Sequence, residues 1–283
     1  MVKKKLRFPK ITIVTPSYNQ AEFLERTIQS VLNQEYPNLE YIVVDGASSD
    51  DSVKIIKKYQ KKLSYWVSKK DGGQTDAINK GFQKATGQIM GWLNSDDVLL
   101  PGSLFLIAKI FSEHPEIEWI TGQPISINSQ DMIVRTGIQS GRLSQLIRLG
   151  LYHGKGLGFI GQEGTFWTKE LWLASGKNVP NFRYAMDFHL WQKFAQFADL
   201  VSIESPLGAF RLNPIRKTKT LVNYYNEIWP LLNVIPKPFL LFFRILHPLF
   251  LRKISPRIYF DDETSAWVFS KGYFFTPNLK KGT

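Results

Sequence analysis

The sequence predicts an α/β fold with a mostly parallel central sheet flanked by helices, and three observations predict it. Short apolar runs alternate with amphipathic segments through the first 125 residues, the pattern of parallel strands joined by crossover helices. The apolar runs give way to polar or glycine-containing turns ("TPSYN", "DGASSDDS", "KKDGG", "NSDD"), where strands of such a sheet would end. Of the 283 residues, 43% are hydrophobic and 14% aromatic, enough for one large core.

Taken in order, "ITIVTPS" (11–17) reads as a buried strand. Asn19, with Glu22 three positions later, fits a capping pattern for a helix whose apolar face is Leu24, Ile28, Val31 and Leu32. The turn "EYPN" ends it. "LEYIVVD" is a second strand, after which Asp50 and Asp51 are expected in the first turn of a helix, where the dipole favours carboxylates. "LSYWVS" is a third strand, "QTDAINKGFQKATG" a helix closing at Gly87, and "QIMGWLNSDD" a fourth strand. "PGSLFLIAKIFSEHP" is helical, and "EIEWITGQPISINSQDMIVRTG" reads as strands around a polar turn. A further helical signal begins at Asp187, with Leu190, Phe194 and Phe197 on one face, followed by the strands "LVSIES" and "GAFRLN". Trp92, Trp119 and Trp172 read as core.

The formal charge of +12 sits at the ends: residues 1–10 carry +5 and residues 211–283 carry +8, which leaves the long middle close to neutral. A nucleic-acid protein would carry that charge over its body. The N-terminus is basic but lacks the apolar stretch and cleavage site of a signal peptide, and with no cysteine in the chain a reducing, cytoplasmic setting is expected. Residues 229–260 are strongly apolar, yet the longest uninterrupted run is Phe239 to Phe243, far short of the roughly 20 residues that span a bilayer. Aromatic and apolar side chains mixed with Lys237, Arg244, Arg252, Lys253 and Arg257 suit an anionic membrane interface. A pair of short helices packed on the body, or a dimer contact, has the same composition.

Ligands of open parallel sheets bind beyond the carboxyl ends of the strands. Here those ends offer Thr15, Pro16 and Ser17, then Asp45, then Asp71, then Asn94, Ser95, Asp96 and Asp97. The first turn is not Gly-x-Gly-x-x-Gly and no Walker loop is present, which argues against a dehydrogenase or a P-loop enzyme. Asp96 and Asp97 repel each other by ~1 kcal/mol in water and more in a drier cleft. A helix N-terminus, a hydrogen-bond network or a divalent cation could hold them together. Mg²⁺ or Mn²⁺ would do so and keep open positions for phosphates.

The ordered set "ITIVTPSYNQAEFLERTIQSVLNQEYPNLEYIVVDGASSDDS", "DGGQTDAINKGFQKATGQIMGWLNSDD", "FWTKELW" and "YAMDFHLW" resembles the inverting glycosyltransferases of family 2, over roughly residues 8–220. The resemblance implies a GT-A nucleotide-binding domain over 1–220, with a nucleotide-sugar half at about 8–100 and an acceptor half at about 101–220. Residues 221–283 would then be a helical, amphipathic C-terminal extension. It further implies transfer of a sugar from a nucleoside-diphosphate sugar, most commonly a UDP-sugar, to a saccharide or lipid-linked acceptor in cell-surface glycan synthesis. The extension would rest on the cytoplasmic face of the plasma membrane.

Position by position, the resemblance gives Thr15, Pro16 and Ser17 a place along the nucleotide. Asp45 would meet the base or ribose, and Asp71 the base side. Asp96 would be the metal ligand of the family's Asp-x-Asp motif, for Mn²⁺ or Mg²⁺. Asn94, Ser95 and Asp97 would bind the nucleotide sugar, with Asp97 contacting the sugar or orienting the site. Asp187 would be the base that deprotonates the acceptor, its proton affinity lowered by the helix dipole and raised by desolvation from Phe188 and Trp191. Arg211 and Lys217 would close over the diphosphate. Three positions depart from the family pattern: Asn94 replaces an acid, Ile78 an arginine, and Asn213 a histidine. Asn94 and Asn213 also allow a second reading, a catalytically weak carbohydrate- or nucleotide-sugar-binding protein of the same fold at the membrane surface. Gln162 and Glu163 are expected either to contact the acceptor or to hold a loop.

Overall fold

The computed structural model describes residues 8–137, 141–212, 221–229, 251 and 254–273. The first half is the expected series of βα units: β1 (Ile11–Ser17), α1 (Ala21–Leu32), β2 (Leu39–Asp45), α2 (Ser52–Tyr59), β3 (Tyr65–Ser68), α3 (Gln74–Lys84) and β4 (Ile89–Trp92). β5 (Val98–Leu99), α4 (Ser103–Glu113), β6 (Trp119–Thr121), β7 (Ile125–Ile127) and β8 (Ile133–Thr136) follow. The rest comprises α5 (Ser144–Arg148), β9 (Thr165–Thr168), α6 (Lys169–Ala174), α7 (Met186–Phe194), β10 (Leu200–Ile203), β11 (Gly208–Arg211), α8 (Leu221–Ile228), β12 (Arg257–Asp261) and β13 (Ala266–Ser270).

Among the described residues, nine strands form the central sheet in the order β13-β12-β10-β6-β9-β4-β1-β2-β3. β4, β1, β2 and β3 run parallel, as do β6, β10 and β12; β9 lies antiparallel between β4 and β6, and β13 is antiparallel at the edge. A smaller sheet, β5-β11-β7-β8, stands beside it.

Side-chain alternation assigns the strands to two cores. On β1, Ile11 and Ile13 join Leu24, Ile28 and Val31 of α1, while Val14 faces the other way onto Ala77, Ile78 and Phe82 of α3. The second core is aromatic: Trp92 stacks on Trp191 with centroids 5.7 Å apart and planes at 12°, and Trp167 meets Phe194 at 5.3 Å. Such pairs are worth about 0.5–1.5 kcal/mol beyond their buried area. Through Trp191 and Phe194, this cluster docks α7 against the sheet. Trp92, Trp119 and Trp172 are buried, as expected.

Several local expectations are corrected. Asn19 does not cap α1; its N–H instead donates to Ser48 Oγ and its side-chain oxygen accepts from the Ser49 N–H. The α1 entry is held by Asp50, whose carboxylate accepts from the N–H groups of both Ala21 and Ser52. Asp50 and Asp51 therefore precede α2 rather than lying in its first turn. α3 ends at Lys84, not Gly87, because Ala85 is already extended. β4 ends at Trp92, and residues 93–97 form a loop.

The C-terminal extension is helical only in part. Its first segment is α8, but β12 and β13 form a hairpin that lengthens the central sheet, with Ile258 fully buried beneath it. Lys237, Arg244, Arg252 and Lys253, with most of the apolar run, lie outside the described residues.

Candidate active site

The carboxyl ends of β1, β2 and β3 stand side by side because their register puts Ser17 opposite Asp45 and Asp45 opposite Ser68. Asp45 is fully buried. Its Oδ2 accepts from the Ser48 N–H at 2.9 Å and Ser68 Oγ at 2.7 Å, and its Oδ1 accepts from Ser48 Oγ at 2.5 Å. Three of the roughly four acceptor positions of a carboxylate are thus filled, two from its own turn and one from the end of β3. Thr15 Oγ1 pairs with the Tyr41 hydroxyl at 3.0 Å inside the core. The buried Ser17 Oγ has no hydrogen-bond partner among the described residues, a feature that in a native protein asks for an explanation such as a ligand.

Asp71 leans over the end of β2. A side chain at Gly46 would approach its Oδ2 to 3.0 Å, so glycine there admits the carboxylate. Asp71 Oδ1 accepts from the Gly73 N–H, and Gly73 takes φ +108°, a conformation open to glycine, to start α3.

The 94–97 loop is held from below. Arg211 is fully buried; its N–H donates to Asp97 Oδ1 at 2.8 Å and its Nε to the Asp96 carbonyl at 2.8 Å. Its guanidinium also donates to the Asn128 carbonyl, pairs with Asp131 and lies 4.8 Å over the Phe23 ring. Asn94 Nδ2 donates to the other Asp97 oxygen at 3.3 Å, and Thr27 Oγ1 donates to the Asp97 carbonyl at 2.7 Å. Hydrogen bonds thus hold the Asp97 carboxylate and the Asp96 carbonyl, and Arg211 sits beneath the loop. Lys217 and Asn213 lie outside the described residues.

Among the described residues no three His, Asp or Glu side chains are grouped to hold a metal by themselves. The buried Asp96 carboxylate, with Asp97 drawn toward Arg211, fits the sparse donor set of a cation that takes its remaining ligands from phosphates and water.

Gln74 and Thr75, at the start of α3, were not singled out from the sequence, and they connect this loop to α7. Gln74 Nε2 donates to Asn94 Oδ1 at 2.8 Å, while Thr75 Oγ1 donates to the Phe182 carbonyl at 2.6 Å and touches Met186 Sδ at 3.3 Å. Asp187 is the next residue. Burial pushes its carboxyl up to about 6, with nearby Glu227 adding to the effect and the Phe188 N–H, which donates to its Oδ1, opposing it. Desolvation wins over the helix dipole here. His189 stacks on Phe182 at 3.6 Å, and burial pushes its ring below its ordinary value. Gln162 donates from its amide to the Trp92 carbonyl, which holds the end of β4. Ile78, where the family pattern has arginine, is core.

A family model described as "Glycosyl transferase family 2" matches residues 12–162. An uncharacterized glycosyltransferase of Rickettsia prowazekii is 35% identical over 240 residues, covering 81% of this chain and 73% of that protein. A Campylobacter jejuni protein named GalNAc(5)-diNAcBac-PP-undecaprenol beta-1,3-glucosyltransferase is 34% identical over 109 residues, covering 37% of this chain and 35% of its own. Alignments with several other curated relatives likewise span about a third of those proteins.

Among solved structures, S. aureus TarS 1-349 in complex with UDP-GlcNAc superposes with a TM-score of 0.60 at 17% identity, covering 75% of this chain and 61% of that one. The mannosyltransferase PcManGT from Pyrobaculum calidifontis, in complex with GDP-Man and Mn²⁺, gives 0.54 at 20% identity, covering 82% and 67%. These likenesses are of fold, and the fold is GT-A. With the family model covering more than half of the chain and the Rickettsia relative most of it, the chain belongs to glycosyltransferase family 2.

Proposed function

We propose that the protein is an inverting glycosyltransferase that moves a sugar from a nucleoside-diphosphate sugar to a hydroxyl of a saccharide or lipid-linked acceptor in cell-surface glycan synthesis. The observation that carries this reading is the chain of contacts from Asn94 through Gln74 and Thr75 to Met186, which sets a carboxyl of raised proton affinity beside the strand-end edge. UDP-GlcNAc in the TarS complex and the undecaprenyl-linked name of the Campylobacter relative support a UDP-sugar and a lipid-linked acceptor.

In this mechanism the acceptor oxygen forms its bond to the anomeric carbon as its proton passes to Asp187. The bond from that carbon to the diphosphate oxygen breaks, and its electron pair leaves with the nucleoside diphosphate. A base whose pKa lies near the working pH is the efficient choice, and positioning one contributes about 10²–10⁴-fold. Asp45 and Asp71 stand at the nucleoside end, and Ser17 Oγ offers a hydrogen bond there. Arg211 keeps the 94–97 loop in shape. Asp96 would hold a divalent cation that neutralises charge on the departing diphosphate.

The test is release of nucleoside diphosphate from a panel of UDP-, GDP- and dTDP-sugars with Mn²⁺, in the presence of polyprenyl-diphosphate saccharides. Acceptor-dependent release supports an enzyme, whereas binding of a donor without release under every condition supports a carbohydrate-binding protein. We also propose that the basic, apolar extension rests on the cytoplasmic membrane face. Among the described residues no helix is long and apolar enough to cross a membrane. Failure of the full chain to float with phosphatidylglycerol liposomes would remove that part of the proposal.

A further inference from the structure

α8 lies outside the segment that the family model matches, yet it reaches the residue to which the mechanism gives the acceptor proton. Tyr224, Tyr225 and Ile228 pack with Ala185 and Phe188 in a small separate core. From the same helix, Glu227 reaches three consecutive backbone N–H groups at the entry to α7: its Oε1 accepts from Arg183 at 3.1 Å, and its Oε2 from Tyr184 at 2.8 Å and Ala185 at 2.9 Å.

The first turn of a helix needs acceptors for its orphan N–H groups and favours an anion. Ala185, at the capping position, has no side chain for that task, and Asp187, two residues further in, turns its carboxylate to the Phe188 N–H. Glu227, 40 positions later, supplies the anion instead.

We propose that Glu227 is a positioning residue: it holds the N–H groups of residues 183–185 at the entry to α7 and so fixes the backbone that carries Asp187. The proposal rests on the reading of Asp187 as base. Its electrostatic corollary is that a second negative charge near Asp187 strengthens its hold on a proton. The titratable groups around the pair are Tyr224 on α8 and His189 on α7; burial raises the former and lowers the latter, so both are neutral at pH 7. The Arg183 guanidinium lies over the Tyr184 ring. Farther along α8, Lys155 sits over Tyr225, and His153, pushed down to about 4 by burial, packs edge-on to the same ring.

The experiment is a pH titration of the Asp187 carboxyl by ¹³C NMR on the full chain, assigned by its loss in Asp187→Asn, and it needs no substrate. In Glu227→Gln the midpoint should fall below that of the wild type, so that less than half of Asp187 is protonated at pH 6, and the amides of residues 183–185 should exchange faster. An unmoved midpoint in a folded Glu227→Gln protein overturns the proposal, since loss of a purely structural contact has no reason to lower it. If that variant does not fold, Glu227→Asp keeps the charge at shorter reach: its midpoint should stay at the wild-type value while protection at 183–185 drops, and a lowered midpoint overturns the proposal. Undiminished acceptor-dependent nucleotide release by Asp187→Asn would refute the base assignment separately, because the titration does not depend on turnover.

Discussion

The backbone N–H of Arg211 donates to the Asp97 carboxylate at 2.8 Å, and the same residue's Nε donates to the Asp96 carbonyl at 2.8 Å. One residue of β11 thus grips both sides of the 96–97 peptide. Arg211→Ala should destabilise the protein by about 2–4 kcal/mol in urea unfolding, through a lost buried cation and unmet acceptors at Asn128 and Asp131. Arg211→Lys should recover only part of this, because an ammonium cannot reproduce the fork. A variant of wild-type stability with lost turnover would instead make Arg211 a diphosphate ligand.

Asp187 gives a stability prediction with a definite sign. Its carboxyl is raised from 3.8 to about 6, so the folded state binds the proton more tightly than the unfolded chain. Stability associated with this group is therefore full below pH 4 and is lost as pH rises through 6. Asp187→Asn should be more stable than wild type by roughly 2–3 kcal/mol at pH 7.5, with the gain gone at pH 3.5. Its acceptor-dependent transfer should fall by about 10²-fold or more. Thermal melts across pH and a nucleotide-release assay check the two halves.

For the metal, UDP and Mn²⁺ serve as probes in thermal-shift measurements. Asp96→Asn should abolish the extra stabilisation that Mn²⁺ gives in the presence of UDP. Asn94→Asp should raise the apparent affinity for Mn²⁺ roughly several-fold by adding an anionic donor. Equal Mn²⁺ response in Asp96→Asn and wild type would remove Asp96 from the ligand set.

Beyond the end of β2, Gly46→Ala adds a carbon 3.0 Å from Asp71 Oδ2 and 3.2 Å from Oδ1. The carboxylate must move, but no core side chain is disturbed. UDP affinity should drop by roughly 3–10-fold, about 1 kcal/mol, while the melting temperature stays close to wild type. Calorimetric titration with UDP reads the change.

The parallel half of the fold was legible because each strand-helix unit is local: the apolar period of β1, α1, β2 and α3 is set by partners close in sequence. Asp45, Asp71 and the 94–97 loop could be listed for the same reason, as the ends of predicted strands. What was not legible depends on long-range partners. Asn19 looks like a cap until Asp50, from a different loop, takes the α1 entry. No spacing rule shows that Arg211, carried on the second sheet, is buried and donates to the Asp96 carbonyl. The raised proton affinity of Asp187 follows from packing and from a glutamate whose link to it no spacing rule encodes. An acid surrounded by aromatics, "YYNEIW", was the available hint that Glu227 is turned inward.

The hairpin of β12 and β13 has a practical consequence. β12 covers the flank of β10: the Ser202 and Glu204 N–H groups donate to the Pro256 and Ile258 carbonyls, and Arg257 pairs with Glu204 at 2.6 Å. A chain trimmed to the segment that resembles its relatives would leave those donors facing solvent along a bare strand, with the apolar seat of Ile258 open beside them. Such an edge recruits strands from other molecules, so the trimmed protein should self-associate more readily than the full one.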